Sequence, residues 1–182
     1  MIIVLIPLVT ISILTYIVLN TKKKIESEKE NILALQKHLS NKVKENWKIL
    51  INASSALEAY TEKSYEDLNE IIESRSNQPI ENIEDIEFSE NSFVKAYKLF
   101  KNISSKNNEL RDNLIYLKRV NIIDNNNKEI EKIKNSYNIK VKNYNESLNE
   151  IPFKIVANIF SYDNMEYIKY NKLTEERINL TA

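Results

Sequence analysis

The segment "SYNIKVKNYNES", residues 136–147, contains the dipeptide Tyr-Asn twice, seven residues apart. Seven residues make almost two helical turns, so Tyr137 and Tyr144 fall on the same face of a helix. Both tyrosines belong to an apolar stripe of 21 residues in six steps, a period of about 3.5: Ile130, Ile133, Tyr137, Val141, Tyr144, Leu148 and Ile151. The stripe predicts a lengthwise-packed helix with both rings on the packed face and their hydroxyls at a polar rim.

The residues around this stripe predict how the helix ends. Asn138 and Asn145 each follow one of the two tyrosines and lie at the edge of the packed face, where they can hydrogen-bond to a neighbouring helix or meet water. Pro152 ends the helix, because proline lacks an N–H and crowds the preceding turn. We expect a short helix over about 153–160 and a frayed end over 171–182. An aromatic tail between them carries Tyr162, Tyr167 and Tyr170.

Two further apolar stripes precede this helix. The first spans 40 residues in 11 steps: Ile32, Leu35, Leu39, Val43, Trp47, Leu50, Ser54, Leu57, Thr61, Tyr65, Leu68 and Ile72. Its period predicts a helix over Lys22–Ser74, with a bend or break near 52–55. The second predicts a helix from about Ser92: Phe93, Ala96, Phe100, Ile103, Asn107, Leu110, Leu114 and Leu117.

Two polar stretches are predicted to lie outside the helices. Residues 75–91 contain Pro79 and five acidic residues, and they predict a solvated acidic linker, with an acidic docking loop as the alternative. The sequence "DNNN" at 124–127 predicts a turn. The three stripes together predict an all-α fold, an elongated helical bundle over residues 22–170.

Composition excludes several classes of function. The 182 residues are 42% hydrophobic and 29% charged with a net charge of zero, so nothing attracts nucleic acid by bulk charge. The chain has no glycine, which excludes the phosphate-binding loop and the dinucleotide fingerprint. It also has no cysteine, which excludes disulfides and thiolate metal sites.

The amino terminus predicts a transmembrane helix. Residues 1–21 carry no charged side chain, and the apolar run Ile2–Leu19 has 18 residues, enough to cross a bilayer. A cleaved signal peptide is the alternative, but nothing basic precedes Ile2 and no small-residue cleavage pattern follows. The positive-inside rule applied to Lys22, Lys23 and Lys24 places the amino terminus outside and the bundle in the cytoplasm.

The sequence contains few candidate residues for catalysis or metal binding. His38 is the only histidine, and a carboxylate-bridged metal site in a bundle needs two Glu-x-x-His pairs. His38 lies one position before Leu39 of the packed face, so we interpret it as a surface or interface residue. We therefore expect no enzyme activity, no cofactor and no small-molecule substrate.

The carboxy-terminal third resembles the LemA family. The matching stretch is "YNIKVKNYNESLNEIPFKIVANIFSYDNMEYI", residues 137–168. The positions that carry the resemblance are Tyr137, Asn138, Val141, Tyr144, Asn145, Pro152, Ile155, Val156, Ala157, Phe160 and Tyr162. In the first half the family's paired arginines fall on Glu45 and Asn46, so the chain is identified as a divergent member with its strongest match in the last third.

The resemblance implies an antiparallel helical bundle on a membrane anchor and supplies no reaction. We expect a single-pass, non-enzymatic scaffold or adaptor that contacts lipid through residues 1–21 and a protein through its tyrosine-rich face. The alternative is a self-associating protein that organises the membrane or envelope. The candidate interaction residues are Tyr137, Asn138, Tyr144, Asn145, Tyr162, Tyr167 and Tyr170.

Overall fold

The computed structural model describes residues 2–107 and 113–169, with side chains described from Pro7 onward. These residues form helices joined by turns and irregular segments, without a strand, so the all-α prediction is confirmed for them. The helices are α1 (Ile2–Thr61), α2 (Glu66–Arg75), α3 (Ile83–Ser105), α4 (Leu114–Ser147) and α5 (Phe153–Phe160). The predicted short helix over 153–160 is confirmed as α5.

The chain forms two compact units. Unit 1 comprises Met1–Leu35 and Ser136–Tyr167, which supply the first part of α1, the end of α4, and α5. Its core contains mostly large apolar side chains and two tyrosines: Ile25, Ile32, Tyr137, Val141, Tyr144, Leu148, Val156 and Ala157. Burial of such side chains contributes about 1.5–3 kcal/mol each, which makes this apolar face the main stabilising element of unit 1.

Unit 2 comprises Gln36–Asn135 and Ile168–Ala182. Within it, residue numbers increase along α1 and α3 while the numbers of their partners on α4 decrease. The contacts from α1 are Lys42–Glu129, Asn46–Asn127 and Asn52–Arg119. Those from α3 are Glu90–Lys134, Tyr97–Asp124 and Ser104–Tyr116. The antiparallel prediction is therefore confirmed for these helices. Aromatic rings fill the core, where Trp47 meets Phe93 edge-on with ring centroids 5.3 Å apart.

The break in the first predicted helix lies later than expected. The prediction of a break near 52–55 is wrong, because α1 continues through these residues to Thr61. The Ser55 hydroxyl bonds back to the Ile51 carbonyl within the helix, and Ala53 is buried. The helix ends where Glu62 adopts a left-handed φ of 54°. The Glu58 carboxylate then accepts the Tyr65 N–H at 2.9 Å, which supports the start of α2 in place of an N-cap side chain.

The acidic stretch predicted as a linker over 75–91 is mostly helix. The prediction that helix resumes near Ser92 is wrong, because α3 begins at Ile83. Asn82 accepts the Asp85 N–H at 2.8 Å and Asp85 accepts the Asn82 N–H, which is a complete capping box. Acidic residues in a first turn also interact favourably with the positive end of the helix dipole.

The second apolar stripe stops earlier than predicted. Helix α3 ends at Ser105, so Asn107 lies just beyond it. Leu114 and Leu117, expected in the packed face, are exposed in α4, whereas Leu110 lies outside the described residues. The predicted turn at 124–127 is also wrong, because α4 runs through it. Asp124 and Asn127 have partners on neighbouring helices, and these contacts outweigh the turn preference of the sequence.

Among the residues whose side chains are described, from Pro7 onward, no helix has an apolar stretch long enough to cross a membrane. The predicted anchor over residues 1–21 therefore stays a prediction, and the predicted frayed end over 171–182 lies outside the described residues.

A serine holds the left-handed position that closes α5. Ser161 has φ 54° and ψ 50°, a conformation that costs a residue with a Cβ about 1–2 kcal/mol. We expect Ser161→Gly to raise the free energy of unfolding by about 1 kcal/mol in urea titrations followed by circular dichroism. The matched control is Ser27→Gly, at an exposed position inside α1, which should lower it by about 0.5 kcal/mol. Equal destabilisation by both variants would contradict the role of Ser161.

Candidate protein-interaction site

The two repeated tyrosines lie in the core of unit 1. Tyr137 and Tyr144 are each 1% exposed, so the prediction that both rings lie on the packed face is confirmed. The Tyr137 hydroxyl donates to the Glu166 carbonyl at 3.0 Å. Burial, followed by the charge of Glu166, raises the pKa of Tyr137 to about 12.

The second asparagine of the repeat holds the chain that follows α5. The Asn145 side-chain NH2 donates to the Met165 carbonyl at 2.9 Å, and the Met165 N–H donates to Asn145 Oδ1 at 2.8 Å. Asn145 thus satisfies both backbone groups of one residue. Together with Tyr137 it fixes the backbone of 165 and 166, and we call these two side chains the tail clamp and residues 162–169 the tail segment.

Tyr144 differs from Tyr137 in what surrounds its hydroxyl. The Tyr144 hydroxyl is buried and has no hydrogen-bond partner among the described residues, so the expected polar rim is missing at this position. Burial raises the pKa of Tyr144, and the charges of Asp163 and Glu28 raise it further. An unsatisfied buried hydroxyl costs about 1–3 kcal/mol, which the packing of the ring has to offset.

Tyr162 begins the tail segment and joins it to α1. Its hydroxyl donates to Glu26 Oε1 at 2.9 Å, and burial together with this bond raises the pKa of Tyr162 to about 12. Glu26 also lies 3.5 Å from the Lys22 ammonium, which sits 4.7 Å from the centre of the Phe160 ring. Lys22 therefore has a structural role in unit 1, whereas Lys23 is exposed.

The remaining candidate residues are accessible or undescribed. Tyr167 is 49% exposed at the end of unit 1, and Asn138 is half-buried. Tyr170 lies outside the described residues. Sequence reasoning missed Glu26, Met165 and Glu166, and only the placement of asparagines at the edge of the packed face pointed toward a polar partner there.

Unit 2 contains a buried ion pair that the acidic-linker prediction missed. Lys134 is 0% exposed at its side chain and places its ammonium 3.0 Å from Glu90 Oε2. Burial raises the pKa of Glu90, and the Lys134 ammonium opposes that shift. A pair of this kind contributes little net stability but is costly to break from one side, because the remaining charge is left buried. It is therefore a structural contact.

His38 lies at the surface, as the sequence predicted. Its side chain is half exposed, and Nε2 lies 3.9 Å from Glu129 Oε1. In the part of the chain that the structure describes, no three side chains of the metal-binding types come together.

The fold and this site define a class of protein: an α-helical chain with a tyrosine-asparagine repeat that holds an irregular tail. The family model for the LemA family matches residues 35–181, and the chain belongs to the LemA family. The match covers most of the chain, so the prediction that it concentrates in the last third is not confirmed. No curated protein and no solved structure matches the sequence.

We expect the tail clamp to control the local stability of the tail segment. Asn145→Ala removes two hydrogen bonds to Met165, each contributing about 0.5–1.5 kcal/mol, so the Met165 amide should exchange its hydrogen roughly tenfold faster. Asn145→Asp keeps the acceptor for the Met165 N–H and should have a smaller effect. Asn149→Ala, which removes only a bond to the Asn145 carbonyl, is the control. Unchanged exchange in Asn145→Ala would contradict the clamp.

The buried tyrosine makes stability fall at alkaline pH. The folded pKa of Tyr137, about 12, exceeds its ordinary value of 10.0, so the unfolded chain loses its proton first between these pH values. Stability from this group is complete below pH 10 and is lost as pH rises through about 12. We expect Tyr137→Phe to reduce the slope of unfolding free energy against pH by up to about 1 kcal/mol per pH unit in that window.

The control for this measurement is the same pair of proteins near pH 8, where the tyrosine is neutral in both states. The difference there reports only the lost hydrogen bond to the Glu166 carbonyl. Parallel curves for the two proteins from pH 8 to pH 12 would show that Tyr137 ionisation is not coupled to folding.

Proposed function

We propose that this LemA-family protein is a membrane-anchored, non-enzymatic helical scaffold or adaptor. The observation that carries the proposal is a series of large side chains on α1 that are 40–70% exposed: Leu8, Val9, Ile11, Ile13, Leu14, Tyr16, Ile17 and Leu19. They occur on every face of the helix, whereas after Thr21 the same helix buries one face and exposes polar residues. A helix that is apolar all round suits a lipid environment.

The amino-terminal sequence also supports the membrane anchor. The uncharged run Ile2–Leu19 would measure about 27 Å at 1.5 Å per residue, close to the thickness of a hydrocarbon core. Lys22, Lys23 and Lys24 follow directly, and lysines near a span favour the cytoplasmic side. The proposal therefore includes an amino terminus outside the cell and a cytoplasmic chain from Lys22 onward.

The scaffold role rests on how the polar groups of the units are used. Several ionisable groups in and near the cores have polar partners within the fold: Glu90 with Lys134, Asp124 with Lys101 and Tyr97, and Glu58 with Asn69. Groups engaged in this way support the fold and leave binding to the exposed side chains. Tyr167 is a suitable anchor, because the backbone at 165 and 166 is fixed by the tail clamp and tyrosine is favoured at protein interfaces.

Membrane anchoring is tested by charge substitution in α1. A charged residue near the centre of a span costs about 2.5–3.5 kcal/mol on insertion scales. We expect the variant Ile13→Glu with Leu14→Glu to be released from membranes by an alkaline carbonate wash that leaves the unsubstituted chain bound. Lys23→Glu, which changes charge at an exposed position outside the run, is the control. Release of the unsubstituted chain by the same wash would refute the anchor.

The scaffold role is tested by cross-linking in intact membranes. We expect Tyr167→Ala with Tyr170→Ala to lose a discrete cross-linked partner while the helix content by circular dichroism stays unchanged. Ile139→Ala, at an exposed position on α4, should keep the partner. A partner band that survives the tyrosine substitutions overturns the proposed contact. An adduct of two copies of the chain would instead favour the alternative of a self-associating protein.

A further inference from the structure

Helix α5 leaves an apolar flank uncovered. It packs on the rest of unit 1 through Val156 and Ala157, which are buried. Ile155 and Ile159, four residues apart and hence on one flank, are 51% and 60% exposed. Ile151, just before the helix, is 79% exposed. We call Ile155 and Ile159 the isoleucine flank.

The contacts of α5 place it beside the end of the apolar run. The Phe160 ring lies 4.7 Å from the Lys22 ammonium, and the Tyr162 hydroxyl bonds to Glu26 one turn further along α1. Lys22 follows Leu19 by three residues, which is about 5 Å along a helix axis. The tail segment then leads away from this level, because Met165 and Glu166 bond to Asn145 and Tyr137. The carboxy-terminal end of α5 thus lies beside the end of the run.

Polar side chains lie next to the isoleucine flank. Lys154 and Asn158, also four residues apart, are exposed on the adjoining flank of α5. Lys23 and Lys24 are exposed on α1 at the same level. A helix with an apolar flank beside a basic polar one is suited to the plane of a membrane surface, with the apolar side chains at the acyl boundary. Each nearby lysine adds attraction to anionic headgroups.

We propose that α5 is an interfacial membrane-binding helix whose isoleucine flank inserts into the bilayer that holds the amino-terminal anchor. This inference rests on the proposed anchoring and adds a second lipid contact. Even together with Ile151, the isoleucine flank exposes at most a few hundred Å², well below the roughly 1,200–2,000 Å² of a stable protein interface. A bilayer has no such minimum area, and tethering by the anchor raises its effective concentration at α5.

The absence of cysteine allows a direct test with single spin labels in the full chain. Ile155→Cys and Ile159→Cys probe the isoleucine flank, and Lys154→Cys and Asn158→Cys are the matched controls on the polar flank. Each labelled protein is reconstituted into vesicles of phosphatidylcholine and phosphatidylglycerol. Its accessibility to oxygen, which partitions into lipid, is compared with that to a water-soluble nickel chelate. We expect oxygen to dominate at 155 and 159 and the nickel chelate to dominate at 154 and 158.

A fifth label, at Leu14→Cys, separates the two proposals. If position 14 lies in hydrocarbon while 155 and 159 face water, the interfacial helix is refuted and the anchor stands. If position 14 also faces water, the anchor itself is refuted and the interfacial helix fails with it. Spin–spin broadening at 155 between labelled copies would mean that a second copy covers the flank, which also overturns the inference. Circular dichroism of each variant must match that of the cysteine-free chain.

Discussion

Hydrogen bonds from α4 to the backbone of the tail segment fix the position of that segment in unit 1. After Ser161 the described chain has no regular secondary structure, so its backbone groups need partners from elsewhere. Tyr137 and Asn145 supply them at two consecutive residues, because the repeat places both side chains on adjoining parts of the same helix face. The tail segment therefore follows α4 in a defined position, and Tyr167 within it reaches solvent.

The lack of glycine shapes the connections between helices. Among the described residues, Glu62 and Ser161 occupy the left-handed conformation that glycine adopts most easily. Elsewhere, acidic and amide side chains satisfy the exposed N–H groups at helix starts, as Glu58 does at Tyr65 and Asn113 does at Ile115 and Tyr116. These contacts satisfy N–H groups that have no partner within the helix.

Periodicity predicted the helices and their packed faces well, and boundaries poorly. The stripe through Tyr137 and Tyr144 is buried as expected up to Leu148. The predicted helix boundaries were wrong where contacts in the structure outweighed the local preference of the sequence. The capping box at Asn82 starts α3 inside the acidic stretch, and partners on α1 and α3 keep residues 124–127 helical. A single sequence does not reveal such partners, because they come from distant segments.

The sequence by itself determined the all-α class, the packed face of the repeated tyrosines, and the exclusion of nucleotide-loop and thiolate chemistry, since these depend on residue types and their spacing. Only the tertiary structure decided that Asn145 holds Met165, that the Tyr144 hydroxyl lies buried without a partner among the described residues, and that α5 lies beside Lys22. The reason is physical: spacing along one helix defines which side chains share a face, whereas the group that meets this face belongs to another part of the chain, and its position depends on packing of the whole unit.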